Sequence, residues 1–293
     1  MGRNRMIVLT GAGGFIGSVV LGYLNQHGLD DIIIFDDLPT GDQYKNLVGK
    51  KYRSLHSTDE MLIDPSGIDF VIHIGANSST LEKDWSKIYI TNVHSTRMWN
   101  KFCLENNIPF IFTSTAAIYG NGAGPLNHYA FSKQVSENEI TGVILRLFNV
   151  YGPNEYHKGR MASTIYHWYQ QIQETGQVNI FENSNLFRRD FIWVEDVAKT
   201  ILHFMRNYQP NVYDLGTGQS RDFETLADIL CDTCNTGTKK FIEMPNDLKS
   251  QYQIETKADT MLLSEAGINV DDFLTIEQGV LKYVEYLKIN SRY

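Results

Sequence analysis

The pair with the clearest chemical potential in this sequence is Tyr129 and Lys133, four residues apart in "YAFSK". On a helix, residues at i and i+4 share one face about a turn apart. A phenol titrates near ~10 and is a poor base at neutral pH. A neighbouring ammonium favours the phenolate, as does any other cation held close. Such a pair is an acid/base for moving a hydroxyl proton while a hydride moves elsewhere. The strand "IPFIFTSTAAIYG" precedes it and ends on Ser114 and Thr115. A hydroxyl there, Thr115 above all, is placed to hold a reacting oxygen. An amphipathic surface helix with an exposed lysine would carry the same spacing by chance. Strand, hydroxyl and helix in this order favour chemistry.

A second group lies near the start. "TGAGGFIGS" follows a first strand and opens a helix, with Gly11, Gly14 and Gly17 three apart and Gly13 between them. The pattern is not strictly GxGxxG, because Ile16 stands where the last glycine would be. The physics is the same: glycines let the backbone turn tightly and approach a pyrophosphate. The helix N-terminus, at Phe15, Ile16 and Gly17, offers free N–H groups to the phosphates. Asp36, with Asp37 beside it, ends the next strand and can accept from both adenosine ribose hydroxyls. A solvated strand end capping a turn is the plainer explanation of these two aspartates. A carboxylate there repels a 2′-phosphate unless a cation compensates, and the nearest cation in sequence is Lys45. NAD is therefore expected rather than NADP.

These residues need a scaffold. "MIVLTG", "DIIIFDD", "DFVIHIGA", "IPFIFTST" and "GVILRLFNVYG" are nearly continuous apolar runs, as expected of strands covered on both faces. Stretches with helical periodicity separate them, which means βαβ units and a parallel sheet. The fold expected is α/β, a doubly wound parallel sheet of Rossmann type, with ligand chemistry at the carboxyl ends of its strands. After about residue 150 aromatic and polar residues mix, and "NVYDLGTG" reads as one more strand returning to the sheet. A smaller, discontinuous substrate domain is expected. Residues 1–149 and 190–217 would form the dinucleotide-binding domain, and 150–189 with 218–293 mainly the second.

Bulk properties narrow the function. The 293 residues carry 26 Lys and Arg against 34 Asp and Glu, a formal charge of −8. That argues against binding a nucleic-acid backbone, but not against a small anion. The start "MGRNRMIVLTG" is too short in apolar residues for a signal-peptide core or a membrane span. Three cysteines, Cys103, Cys231 and Cys234, fit a reducing compartment, so a cytoplasmic location is expected. "CDTC" ends an amphipathic run and lacks a second CxxC, so neither a redox nor a metal site is expected.

"HKGRMAS" (157–163) sets a histidine and a lysine side by side just past the strand "RLFNVYGP". Lys158 would need partial desolvation or a nearby cation to act as a base. Neutralising a diphosphate, or a plain solvated loop, is the alternative. The motifs "TGAGGFIG", "HIGA", "STAAIYG", "YAFSK", "RLFNVYGP", "RRDFIWVEDV" and "DLGTG" span nearly the whole chain. Together they resemble the extended short-chain dehydrogenase/reductases that modify nucleotide sugars. Within that family "HKGRMAS", "NSST", "LFRRDF" and "YQIETKAD" look most like the ADP-glycero-manno-heptose 6-epimerases.

That resemblance implies epimerisation at C6″ through a transient 6″-ketone, with a tightly bound nicotinamide cofactor and a homo-oligomeric assembly. It implies Tyr129 and Lys158 as two proton-handling groups, with Lys133 and Thr115 beside the first. Ser79 and Asn92 look like sugar contacts, Asn92 also reaching the cofactor, and Asn149 contacts bound substrate. Arg189 is implied as a diphosphate clamp, with Arg188 as the alternative. His157, Ser163, His167, Phe181 and Tyr252 would line the substrate pocket. Two departures stand out. Only ten positions separate Tyr119 from Tyr129, so a loop is cut back. Pro39 and Gln43 replace basic residues that favour NADP in relatives. A 4,6-dehydratase would want a carboxylic acid beside Thr115, where Ala116 and Ala117 stand. A UDP-hexose 4-epimerase, a nucleotide-sugar reductase or a non-catalytic NAD-binding protein would leave His157–Gly159 or the dyad unexplained.

Overall fold

The computed structural model describes residues 5–39, 41–60, 63–245 and 253–290. Seven strands form the main sheet: β1 (Met6–Thr10), β2 (Ile32–Phe35), β3 (Ser54–His56), β4 (Ile68–His73), β5 (Phe110–Thr115), β6 (Val143–Leu147) and, later in the chain, Asn211–Leu215. Every pairing among them is parallel. Their order runs from the Asn211–Leu215 strand through β6, β5, β4, β1 and β2 to β3. The order reverses between β1 and β4, and the crevice at that switch point is where doubly wound sheets take ligands.

Alternation along the strands divides the core in two. Ile7, Leu9, Ile32, Ile34, Ile111 and Leu145 face the layer of α1 (Phe15–Gln26) and a later helix, Val194–Arg206. Val8, Ile33, Phe35, Phe110, Phe112 and Ile144 face the opposite layer, where Trp99 and Cys103 sit on α3 (Ser95–Asn106). Each fully buried Ile, Leu or Phe contributes roughly 1.5–3 kcal/mol relative to exposure. A short helix α2 (Trp85–Ile88) runs through a π-helical turn, Tyr89–His94, directly into α3.

The apolar run expected as one strand after α4 (His128–Glu137) is two strands. β6 stays in the main sheet, and β7 (Asn149–Tyr151) pairs with β9 (Arg188–Trp193) in a second sheet. Only Phe148 separates them, its amide donating to the Leu215 carbonyl at 3.1 Å. The second lobe adds α5 (Thr164–Thr175), β8 (Gln177–Phe181), β11 (Ser220–Asp222) and α7 (Phe223–Cys234), while α6 (Val194–Arg206) and β10 (Asn211–Leu215, the seventh strand) return to the main sheet. After these come β12 (Thr238–Ile242), β13 (Glu255–Thr256), α8 (Met261–Glu265) and α9 (Ile276–Ile289). Its own core joins Tyr151, Trp168, Ile172, Trp193, Leu226, Val280 and Tyr283. Leu263, Ile268 and Phe273 pack instead with the main sheet. Among the described residues no helix is long and apolar enough to cross a membrane.

Candidate active site

The phosphate-binding turn fits a dinucleotide. Gly11 has φ +71°, and a Cβ there would lie 2.6 Å from the Gly75 Cα of the loop after β4. At Gly17 a Cβ would meet the Gly11 carbonyl oxygen at 2.0 Å, so only glycine lets α1 pack this close to its strand. Gly14 caps α1 without any side-chain hydrogen bond, and the first turn holds no acidic residue. The positive end of the helix at Phe15 and Ile16 is therefore left to a ligand. Asp36 accepts from Gly13 N at 2.8 Å and Leu38 N at 2.8 Å. Burial raises its pKa, opposed by those two amide bonds. A carboxylate offers about four acceptor positions, so room for ribose hydroxyls remains. Asp37 turns the other way and accepts from Ser57 Oγ, Thr58 N and Thr58 Oγ1; it anchors the loop after β3. Lys45 pairs with Asp42 at 2.9 Å, so its charge has a carboxylate partner of its own.

Asn127 caps α4 by accepting from Ala130 N at 2.9 Å, which sets Tyr129 and Lys133 on the face toward β5. Lys133 is 3% exposed and donates to the Thr113 carbonyl at 2.8 Å. Its ammonium also sits 4.4 Å from the centre of the Phe112 ring. Burial pulls its pKa down to about 7, with Glu137 pulling the other way. The Tyr129 ring is half-buried, and its hydroxyl is hydrogen-bonded with Thr115. Here the structure corrects an expectation. Burial raises the Tyr129 pKa, with only the Thr115 bond lowering it. Lys133 directs its ammonium to a carbonyl, and desolvation dominates the phenol. Thr115 also accepts from Ala117 N at 3.2 Å. The Ser114 hydroxyl is buried and has no hydrogen-bond partner among the described residues.

Asn92 lies in the π-helical turn and is 1% exposed. Its Nδ2 donates to the Asn77 carbonyl at 3.0 Å and Ser132 Oγ at 2.9 Å, and its Oδ1 accepts from Asn77 N and Thr91 Oγ1. With all four hydrogen-bonding positions filled, it ties the loop after β4 to α4 and does not face a sugar. Ser79 accepts from Leu81 N at 3.3 Å in the same loop, and the neighbouring Thr80 hydroxyl reaches Met161 Sδ at 3.9 Å. His73, behind this layer, bridges Thr10 Oγ1 at 2.8 Å and Thr96 Oγ1 at 2.9 Å. Burial, and then Lys133, hold its pKa down to about 3.

The second lobe brings Lys158. It lies in a 3-10 segment, Tyr156–Met161. Its ammonium stands 5.1 Å from the centre of the Phe15 ring, the first residue of α1. Burial lowers its pKa, with Glu155 acting against this. Glu155 is fully buried and accepts from Ser163 N, Ser163 Oγ at 2.6 Å, Tyr283 Oη at 2.9 Å and Gly152 N at 3.4 Å. Ser163, expected to line the pocket, is instead the N-cap of α5, with its hydroxyl held between Glu155 and Tyr166 N. His157 is half-buried, and burial followed by Lys158 lowers its pKa.

His167 lies one turn into α5, its ring 6.1 Å from that of Tyr166. Phe181 ends β8 opposite Ile242. Asn149 is exposed at the start of β7 and accepts from Thr256 Oγ1 at 3.4 Å. Arg189 is buried in β9, over the Phe223 ring, donating to the Arg188 and Ile254 carbonyls. Arg188 points to Asp222 and Glu255, at 3.5 and 3.7 Å. Tyr252 lies outside the described residues. The short loop after Tyr119 is covered by the chain before β13. Gln253 donates to the Gly120 carbonyl at 2.7 Å and Ile254 N to Asn121 Oδ1 at 3.2 Å.

Sequence reasoning missed Glu155, Asn46 and Asp190. Asp190 is fully buried and accepts from Thr217 N, Thr217 Oγ1, Gly218 N and Ala258 N at 2.6–3.1 Å, fastening three segments under the cleft. Its place inside "RRDF" was the available signal; the other two have none beyond proximity to "HKG" and the loop after β2.

A Rossmann sheet, a glycine turn at its switch point and a Tyr–Lys helix beside it define a dinucleotide-dependent enzyme of the short-chain dehydrogenase type. A model of the NAD dependent epimerase/dehydratase family matches residues 7–216, and the chain belongs to that family. NAD is accordingly its cofactor. Three solved structures show the same fold. UDP-glucose 4-epimerase from Thermotoga maritima, solved with UDP-glucose, has a TM-score of 0.85 at 23% identity, over 98% of this chain and 100% of that one. The Helicobacter pylori ADP-L-glycero-D-manno-heptose-6-epimerase gives 0.83 at 23%, over 97% and 96%. An NAD-dependent NDP-hexosamine 5,6-dehydratase involved in tunicamycin biosynthesis gives 0.82 at 23%, over 98% and 99%.

Proposed function

We propose that this protein inverts C6″ of an ADP-linked heptose by transient oxidation to the 6″-ketone. The observation that carries the reading is the desolvated Lys158 ammonium against Phe15 at the mouth of the cofactor loop. NAD, which the Gly11–Gly17 turn and Asp36 would hold, would supply the hydride acceptor for oxidation and the hydride donor for re-reduction. Tyr129 takes the hydroxyl proton on one face, with Thr115 holding the oxygen. C6″ lies outside the pyranose ring, so rotation about C5″–C6″ presents the other carbonyl face without release of the sugar. The oxygen is then out of reach of Tyr129, and Lys158 handles its proton. Burial lowers the ammonium pKa, which makes the lysine a readier proton donor than one in water. Arg189 holds the diphosphate, Arg188 being directed to carboxylates. Asn149, His157, His167 and Phe181 surround the sugar.

The test is to supply the purified protein with ADP-glycero-manno-heptose and to follow the C6″ proton by NMR. Inversion at C6″ is expected. Conversion of UDP-glucose to UDP-galactose with no action on the heptose would replace this reading by a hexose 4-epimerase, and loss of water from the sugar would replace it by a dehydratase.

A further inference from the structure

Asn46 sits in a short 3-10 turn, Gln43–Leu47, and is 4% exposed. Its Nδ2 faces three acceptors: the Gly13 carbonyl at 2.9 Å, the Asn154 carbonyl at 3.3 Å and His157 Nδ1 at 3.3 Å. The first belongs to the phosphate-binding turn. The other two belong to the segment that leads into Lys158. The orientation of the amide is fixed, because turning it over would set Oδ1 against two carbonyl oxygens. The amide has two hydrogens for these three acceptors, and the His157 ring itself donates to the Asn154 carbonyl, so Asn46 and His157 share that carbonyl between them. Oδ1 of Asn46 is buried with no hydrogen-bond partner among the described residues. Asn154 backs the connection. It donates to Ser18 Oγ of α1 at 3.0 Å and accepts from Tyr286 Oη of α9 at 3.3 Å. Lys158 meets the same loop a second time through Phe15.

The geometry points to Asn46 as a positioning residue that couples cofactor binding at the Gly11–Gly17 turn to the placement of the Lys158 ammonium. Asn46 acts through Gly13 on one side and through Asn154 and His157 on the other. A displacement of Gly13 by the diphosphate is passed across a single side chain to the turn that carries the lysine. The inference rests on the proposed role of Lys158 but not on the identity of the sugar.

The experiment needs no sugar. The full-length protein, stripped of NAD and then reloaded, is treated with acetic anhydride, and acetylation of Lys158 is read by mass spectrometry against the exposed Lys101. In the wild type NAD is expected to change the Lys158 rate about fivefold or more. Asn46→Ala should still bind NAD, followed by quenching of protein fluorescence, while the NAD effect on Lys158 falls below about twofold. If circular dichroism shows Asn46→Ala unfolded, His157→Ala removes the other end of the bridge and should uncouple in the same way. The idea is overturned by a folded variant that keeps the wild-type ratio, by a wild type with no NAD effect, or by a variant that loses NAD binding itself. Failure to turn over ADP-heptose while the coupling persists would instead count against the proposed substrate alone.

Discussion

Lys133 and Lys158 are the same residue in two different mountings. Lys133 is on a regular helix, hydrogen-bonded to a strand carbonyl and lying against Phe112. Lys158 is on a 3-10 turn, its amide bonded to the Glu155 carbonyl, and its ammonium has a ring contact and no hydrogen bond among the described residues. Burial lowers the pKa of both, and each has one carboxylate within electrostatic range, Glu137 or Glu155. A fixed ammonium suits a group that orients a cofactor and a phenol. An ammonium held only by its surroundings can swing to a substrate oxygen. Rigidity in the first lobe comes from the sheet; in the second it comes from the buried Glu155 beneath the turn.

The largest effect should come from the fixed side. Tyr129→Phe should reduce turnover by about 10³-fold with NAD affinity unchanged, because only the proton route is removed; steady-state rates with a parallel NAD titration decide it, and a near-normal rate would break the assignment. Lys158→Met should lower turnover about 10²-fold while substrate affinity stays within about threefold. A defect in affinity alone would make Lys158 a phosphate neutraliser and erase its contrast with Tyr129.

Glu155→Gln tests what holds the turn. It leaves one of four donors facing an amide NH2, and urea unfolding should show a loss of about 2–3 kcal/mol. The Glu155 charge raises the Lys158 pKa, so its removal should move the Lys158-dependent limb of the rate profile to lower pH. The smallest effect concerns His73. Its folded pKa, about 3, lies below its unfolded value, so the unfolded chain binds more protons between these values. Stability should therefore fall as pH drops through about 6.5, by about 1 kcal/mol between pH 7 and 5.5. His73→Gln should flatten that part of the stability curve relative to wild type.

Local patterns were readable in the sequence because local physics produces them. Tyr129 and Lys133 follow from helical spacing, the glycine turn from backbone sterics, and the alternation of strands and helices from the apolar runs and the periodic stretches between them. The break at Phe148 was not readable, since "GVILRLFNVYG" is equally apolar on both sides of it. The family resemblance implies Ser163 and Asn92 as ligand contacts. Whether a polar side chain faces a ligand or another loop depends on residues far away in sequence: Glu155 is paired with Tyr283, and Asn92 with Ser132. Asn46 and Glu155 carry no periodic or compositional signal at all. The phenol pKa was misjudged because desolvation belongs to the folded molecule and not to a spacing.

The splice at Phe148 has a mechanical consequence. Leu147 is laced into one sheet and Asn149 into the other, so the chain has no slack between them. A clamshell motion about this point would have to twist a single residue against two hydrogen-bonded ladders. On the proposed reading, sugar preference would be set by the side chains that crown the two ladders, and a mutant that swaps those crowns should alter preference without altering how far the halves stand apart.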